Sequence, residues 1–194
     1  LERHAPANTL QIVALALGLM AMLLLTVTRG ELLAAWQKAT PPDAPNRFVI
    51  NIQPDQRQAV ADLLAADGIA AELSPMVRGR LMQIGDHPVS AASYPDDERA
   101  QRLIEREFNL SWRAALPPGN RVSAGRWFAP EDVGKGLASI EEGLARTLGI
   151  EPGDELLFVI GGQETRVRVS SLRKLDWDSM RVNFFVLTPP GVLD

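Results

Sequence analysis

Ile12-Val13-Ala14-Leu15-Ala16-Leu17-Gly18-Leu19-Met20-Ala21-Met22-Leu23-Leu24-Leu25 contains no polar side chain, and no residue from Ala5 to Thr28 is formally charged. As a helix rising 1.5 Å per residue, that uncharged window reaches roughly 36 Å, enough to cross a hydrocarbon layer of about 30 Å. Lipid offers the backbone no hydrogen-bonding partner, so a chain there must close its bonds internally, as a helix does. A buried core helix is usually shorter and keeps a polar face, and this run has none. A cleaved signal peptide needs a basic start, a shorter apolar middle and a small-residue cleavage site. Neither Leu1-Glu2-Arg3-His4 nor Val27-Thr28-Arg29-Gly30-Glu31 supplies those features. The sequence therefore predicts an uncleaved membrane span. Arg3 precedes the run while Arg29 and Lys38 follow it, so the positive-inside count leaves its orientation open.

Immediately beyond, Glu31-Leu32-Leu33-Ala34-Ala35-Trp36-Gln37-Lys38 keeps helical spacing but turns amphipathic. Trp36 and Lys38 suit an interfacial anchor, a ring at headgroup level and a charge in water; equally, Trp36 can pack on the following domain. Thr40-Pro41-Pro42-Asp43-Ala44-Pro45 then ends the helix, because proline lacks the donor and clashes with the preceding turn.

About 150 of the 194 residues remain after the helix and its exit, one ordinary domain or two small subdomains. An apolar share of 46% can build a core, and a net charge of −4 argues against a nucleic-acid footprint. Without cysteine there is no disulfide, thiolate metal site or thiol nucleophile. The missing initial Met and the end at Gly191-Val192-Leu193-Asp194 suggest a piece of a longer polypeptide.

The pattern past residue 46 is α+β. Residues 47–52 read as a strand and Pro54 opens a helix carrying Val60, Leu63 and Leu64, with Gly68 as its stop. Residues 69–76 read as a second strand, giving a β-α-β unit; Arg78-Gly79-Arg80 reads as a turn into a third, residues 81–84, and 86–95 as loop. Asp96 and Asp97 lead a helix with Ala100, Leu103, Ile104 and Phe108 at core spacing. Residues 122–128 extend toward another strand. Ser139-Ile140-Glu141-Glu142 has the form of a capping box, with Gly149 as the helix stop. Residues 155–160, Gly161-Gly162 and Arg166-Val167-Arg168-Val169 read as a hairpin, and 182–187 as a last strand.

Chemical motifs are sparse. His4 and His87 have no ligand spacing, and the P-loop and G-x-S-x-G patterns are missing. Ser170 and Ser171 lie near no histidine in sequence. Asp176 and Asp178 flank Trp177; on an extended segment both carboxylates share a face and can do acid-base chemistry, while a solvated turn between strands is the plainer reading. Arg78, Arg80, Arg126, Arg173 and Arg181 form either an anion-facing patch or ordinary surface arginines with acidic partners. Trp127, Phe128 and Trp177 are candidates for a partner surface.

Several stretches carry a family likeness: residues 8–14 and 24–36 around the span, Asn46-Arg47-Phe48-Val49-Ile50-Asn51-Ile52, Arg78-Gly79-Arg80-Leu81, residues 171–179, Asn183-Phe184-Phe185-Val186-Leu187 and Pro189-Pro190-Gly191-Val192-Leu193. Together they resemble the FtsX-like ABC transporter permeases of the YbbP type. The resemblance implies a bacterial inner-membrane permease with a MacB-like periplasmic domain. It divides the chain into a cytoplasmic-side flank (1–8), a span and its exit (9–38), and a periplasmic α+β domain (46–194). That domain is divisible into 46–95 and 165–188 with 96–164 inserted.

The same resemblance implies that the chain is no enzyme, binds no cofactor or metal, and meets ATP only through a separate cytoplasmic ABC ATPase. Membrane lipid, that ATPase and a periplasmic protein are the implied partners. Leu32, Leu33 and Trp36 would form the helix coupling membrane motion to the domain. Arg78, Arg80, Trp127, Phe128, Arg173, Asp176, Trp177 and Asp178 are its candidate substrate or partner surface. The alternatives are a single-span anchored periplasmic interaction module, or an anchored hydrolase using Asp176 and Asp178. Cargo and direction of transport cannot be read from the residues.

Overall fold

A computed structural model describes residues 5–39, 47–179 and 181–193. The Pro-rich boundary at 40–45 lies outside the described residues. The chain divides into two units, one containing the N-terminal helix and the other the sheet domain that begins at Arg47.

Helix α1 runs Ala5–Ala39. Its segment Thr9–Ala35 is long and apolar enough to cross a membrane by length and composition. Those 27 residues reach about 40 Å as a helix. The Thr26 hydroxyl donates to the Met22 carbonyl at 2.7 Å, so this polar atom is satisfied inside the helix, as a lipid environment demands. Leu32 and Leu33 lie on this helix, exposed; Trp36 belongs to it by backbone, and its side chain is outside the described set.

The second unit is α+β, as the pattern predicts. Its strands are β1 (Val77–Ile84), β2 (His87–Pro88), β3 (Phe108–Trp112), β4 (Asn120–Gly125), β5 (Leu137–Glu141), β6 (Glu155–Ile160), β7 (Gln163–Leu175) and β8 (Val186–Thr188). The helices are α2 (Arg57–Ala66), α3 (Glu98–Glu105) and α4 (Glu142–Leu148). Strand β1 pairs with β3, β3 with β8, β8 with β5, β5 with β7, β7 with β6, and β6 again with β1. Six strands thus close on themselves as a barrel, which removes their free edges. The β3–β8 and β5–β7 contacts are parallel and the other four antiparallel. Strand β4 lies outside the ring on β7, and β2 on β1.

Inward side chains fill this ring: Leu81, Phe108, Leu110, Ile140, Leu156, Phe158, Val167, Val169 and Val186 are all buried. Ala100 and Ile104 of α3 and Leu144, Ala145 and Leu148 of α4 join the same cluster. The Gly161-Gly162 turn forms as predicted, both glycines at positive φ, the conformation a two-residue hairpin needs. Strands from 46–95, 96–164 and 165–188 all enter this one sheet.

Several local readings are corrected. Residues 47–52 and 69–76 are not strands, and α2 between them buries no side chain. A β-rich run becomes a strand only where a neighbour receives its hydrogen bonds, and none does here. Arg78-Gly79-Arg80 is no turn but the middle of β1. A Cβ on Gly79 would lie 2.8 Å from Ile160 Cγ1 and 2.9 Å from Leu110 Cδ1, so glycine lets three strands close tightly. Within the 86–95 loop, His87–Pro88 pairs briefly with β1. Phe108 belongs to β3, since α3 stops at Glu105; Asp97 does cap that helix, accepting from the amides of Arg99 and Ala100. Ser139 is not a helix cap. It lies within β5 and bonds Ser171, while Glu141 caps α4. The strands expected at 122–128 and 182–187 are instead Asn120–Gly125 and Val186–Thr188.

Candidate functional site

Strand β7 positions most of the polar candidates, because from Arg166 to Leu175 its residues alternate between a buried face and a more exposed one. Val167, Val169, Ser171, Arg173 and Leu175 are buried; Arg166, Arg168 and Lys174 are exposed.

Arg173 consequently faces inward and is fully buried, which corrects its assignment to a partner surface. Its Nη1 donates to Asn120 Oδ1 at 2.8 Å and its Nη2 to the Phe184 carbonyl at 2.6 Å. Asn120 in turn donates to Asn183 Oδ1 at 3.0 Å. Burial pulls the guanidinium down to about 10, and the charge of Glu141 opposes that pull. Glu141 stands opposite Arg173 in the β5–β7 register. Its carboxylate also receives the amides of Gly143 at 2.8 Å and Leu144 at 2.6 Å, capping α4. One carboxylate thus caps a helix start by hydrogen bonds and acts on a buried cation through its charge, without an ion-pair contact.

A second buried carboxylate, Asp132, sits in the 3-10 turn after β4. It accepts from the Ala129 amide, from both Nη atoms of Arg126 and from Lys135 Nζ. The Arg126 hydrogen bond leads the causes that hold it well below the usual carboxylate range. Beside this knot, Trp127 is half-buried and donates its indole N–H to the Ala114 carbonyl at 2.9 Å. Phe128, its ring 4.4 Å away, is buried and so does not face a partner.

Asp176 and Trp177 lie at the far end of β7. Trp177 is half-exposed and stacks at 5.5 Å on Phe185, over which the Arg106 guanidinium sits at 5.3 Å. Asp176 is exposed, and its amide donates to the Gly119 carbonyl. The run is not extended: a 3-10 turn begins at Trp177, which removes the shared strand face that acid-base pairing requires. The Asp178 side chain lies outside the described set. Arg78 and Arg80 are exposed on β1, both on the outer face.

The structure therefore separates the candidates. Arg173 is in the core with Glu141 and Asn120; Trp127 and Phe128 stand by Asp132; Trp177 stacks on Phe185; Arg78 and Arg80 point outward. Sequence reasoning missed Glu141 and Asn120, whose link to Arg173 is made only by strand pairing. It also passed over Arg166, Arg168 and Lys174, although the alternation around Val167 and Val169 is a visible signal. Among the described residues no group of three His, Cys, Asp or Glu is placed to hold a metal. Ser111 Oγ and Thr188 Oγ1 are buried without a hydrogen-bond partner among the described residues, and neither lines an acid-base pair.

The arrangement is a buried polar network under a charged exterior. The chain is 41% identical over 191 residues, 97% of its length, to a curated protein of Escherichia coli K12 named as the uncharacterized ABC transporter permease YbbP. It is similar to an ABC transporter permease from end to end. The resemblance drawn from the residues is thereby borne out. The chain spans about a fifth of that relative, 22% of its length. A crystallised domain described as part of a permease from Porphyromonas gingivalis aligns with 66% of this chain and 54% of its own, at 14% identity and a TM-score of 0.32. No protein-family model matches.

Proposed function

We propose that this chain is the anchored, extracytoplasmic part of an ABC transporter permease subunit of a bacterial inner membrane, and that its role is mechanical. The observation that carries the reading is identity to a permease over nearly the whole chain, including an apolar helix long enough to span a bilayer. ATP binding by a separate cytoplasmic ATPase moves the membrane helices, and the periplasmic sheet domain moves between two states with them, exporting or extracting a substrate. A closed barrel suits this task. It has no central edge along which strands slip, so it passes a displacement on without absorbing it. Leu32, Leu33 and Trp36 belong to the helix that carries the motion.

The test is a full-length subunit purified in detergent together with its ATPase. Gly-Gly in place of Ala34-Ala35 softens the helix exit by about 2 kcal/mol of helix propensity. ATP hydrolysis should persist while substrate movement is lost. Undiminished transport in that variant overturns the coupling, and recovery of the subunit from the aqueous fraction without detergent overturns the membrane reading.

A further inference from the structure

The outer surface of β1, β6, β7 and β4 is a basic face. Strand β6 lies between β1 and the first half of β7, and β4 flanks the second half of β7 on the same side as β6, opposite β5. Arg78 and Arg80 project from β1, Arg166 and Arg168 from β7, Lys174 farther along β7, and Arg121 from β4 directly opposite Lys174. All six are exposed. Glu155 and Glu164 lie on the same face, with exposed Asp176 just past Lys174, and Glu155 is engaged by Arg166 at 3.0 Å. Six cations against three carboxylates stand out on a chain whose net charge is −4.

The spacing identifies the partner. Same-face neighbours on a strand are about 7 Å apart, and Arg166 and Lys174 about 27 Å apart. Donors spread this widely do not converge on one phosphate. They match an array of negative headgroups, each cation meeting its own lipid. The sheet unit begins eight residues after α1 ends, so a bilayer spanned by α1 presents headgroups at high effective concentration.

We infer that this face docks on an anionic lipid surface. The inference needs the membrane span but not transport, so it stands or falls apart from the permease reading.

The test uses the whole chain in nanodiscs. Because the protein has no cysteine, Met82→Cys gives a single label at the exposed bulge residue beside Arg80. An environment-sensitive fluorophore there should shift to the blue in phosphatidylcholine discs containing 30% phosphatidylglycerol, and revert in 0.5 M NaCl. Pure phosphatidylcholine discs should give no shift. Arg168→Gln should lower the docked-to-free ratio about five-fold, and Arg78→Glu with Arg80→Glu should abolish docking. Identical emission in neutral and anionic discs overturns the inference. So does a shift unaffected by the charge reversals while circular dichroism reports an intact fold, or a shift that appears only on adding polyglutamate, which assigns the face to an acidic protein.

Discussion

Glu141 and Arg173 stand opposite each other in the β5–β7 register, and the charge of one acts on the buried charge of the other. Glu141→Ala removes the acceptor of two helix-start amides, worth about 0.5–2 kcal/mol as a lost cap. It also removes the charge that faces the fully buried Arg173 guanidinium across the β5–β7 register without an ion-pair contact, an attraction worth about 1–2 kcal/mol at an effective dielectric of about 20. Together these predict about 1.5–4 kcal/mol, a fall in melting temperature of roughly 5–12 °C at about 3 °C per kcal/mol for a domain of this size. Glu141→Gln separates the two contributions, since its amide oxygen still caps α4 while the charge is gone. Arg173→Met removes the buried cation but strands the Asn120 and Phe184 oxygens it served, at about 1–3 kcal/mol each. The assay is urea unfolding of the detergent-solubilised chain, followed by near-ultraviolet circular dichroism for the four proteins of the cycle. The double variant Glu141→Gln with Arg173→Met should cost at least about 1 kcal/mol less than the sum of the singles. Additivity within about 0.4 kcal/mol would mean that the two groups do not interact, and would refute the pairing.

Other consequences are simpler to check. Gly79→Ala forces a methyl against Ile160 and Leu110 in the β1–β3–β6 contact, so chemical denaturation should reveal a loss of about 1–3 kcal/mol. The carboxyl of Asp132 is depressed in the folded state, so its contribution is present above about pH 4 and fades as pH falls toward the lower folded value. Asp132→Asn should therefore flatten the acid limb of the stability profile, and an unchanged limb in melts from pH 6 to pH 2 contradicts this. Tyr94→Phe deletes the hydroxyl that donates to the Leu148 carbonyl at 2.8 Å, and thermal melts should register about 0.5–1.5 kcal/mol.

The membrane helix was legible because it needs no partner: its residues alone satisfy both lipid and backbone. The Gly-Gly hairpin and the Asp97 cap were legible for a related reason, since each closes its bonds within a few residues. Where structure depends on a distant neighbour, local pattern misled. Residues 47–52 carry strand composition without a strand to receive it. Ser139 looks like a cap, yet it is taken into β5 by pairing with β7 and β8. Arg173 reads as a surface arginine, yet the alternation of β7 turns it inward beside Glu141, 32 residues earlier in the chain.

By itself the sequence determined a charge-free helix of bilayer length and an α+β domain beyond it, because composition and short-range spacing decide both; the likeness to permeases lay in matching stretches of residues. Only the tertiary structure decided which arginines are interior and which gather on one outer face. Closing six strands into a ring sets the inside and outside of every residue at once, and that parity is a property of pairing between strands far apart in the chain.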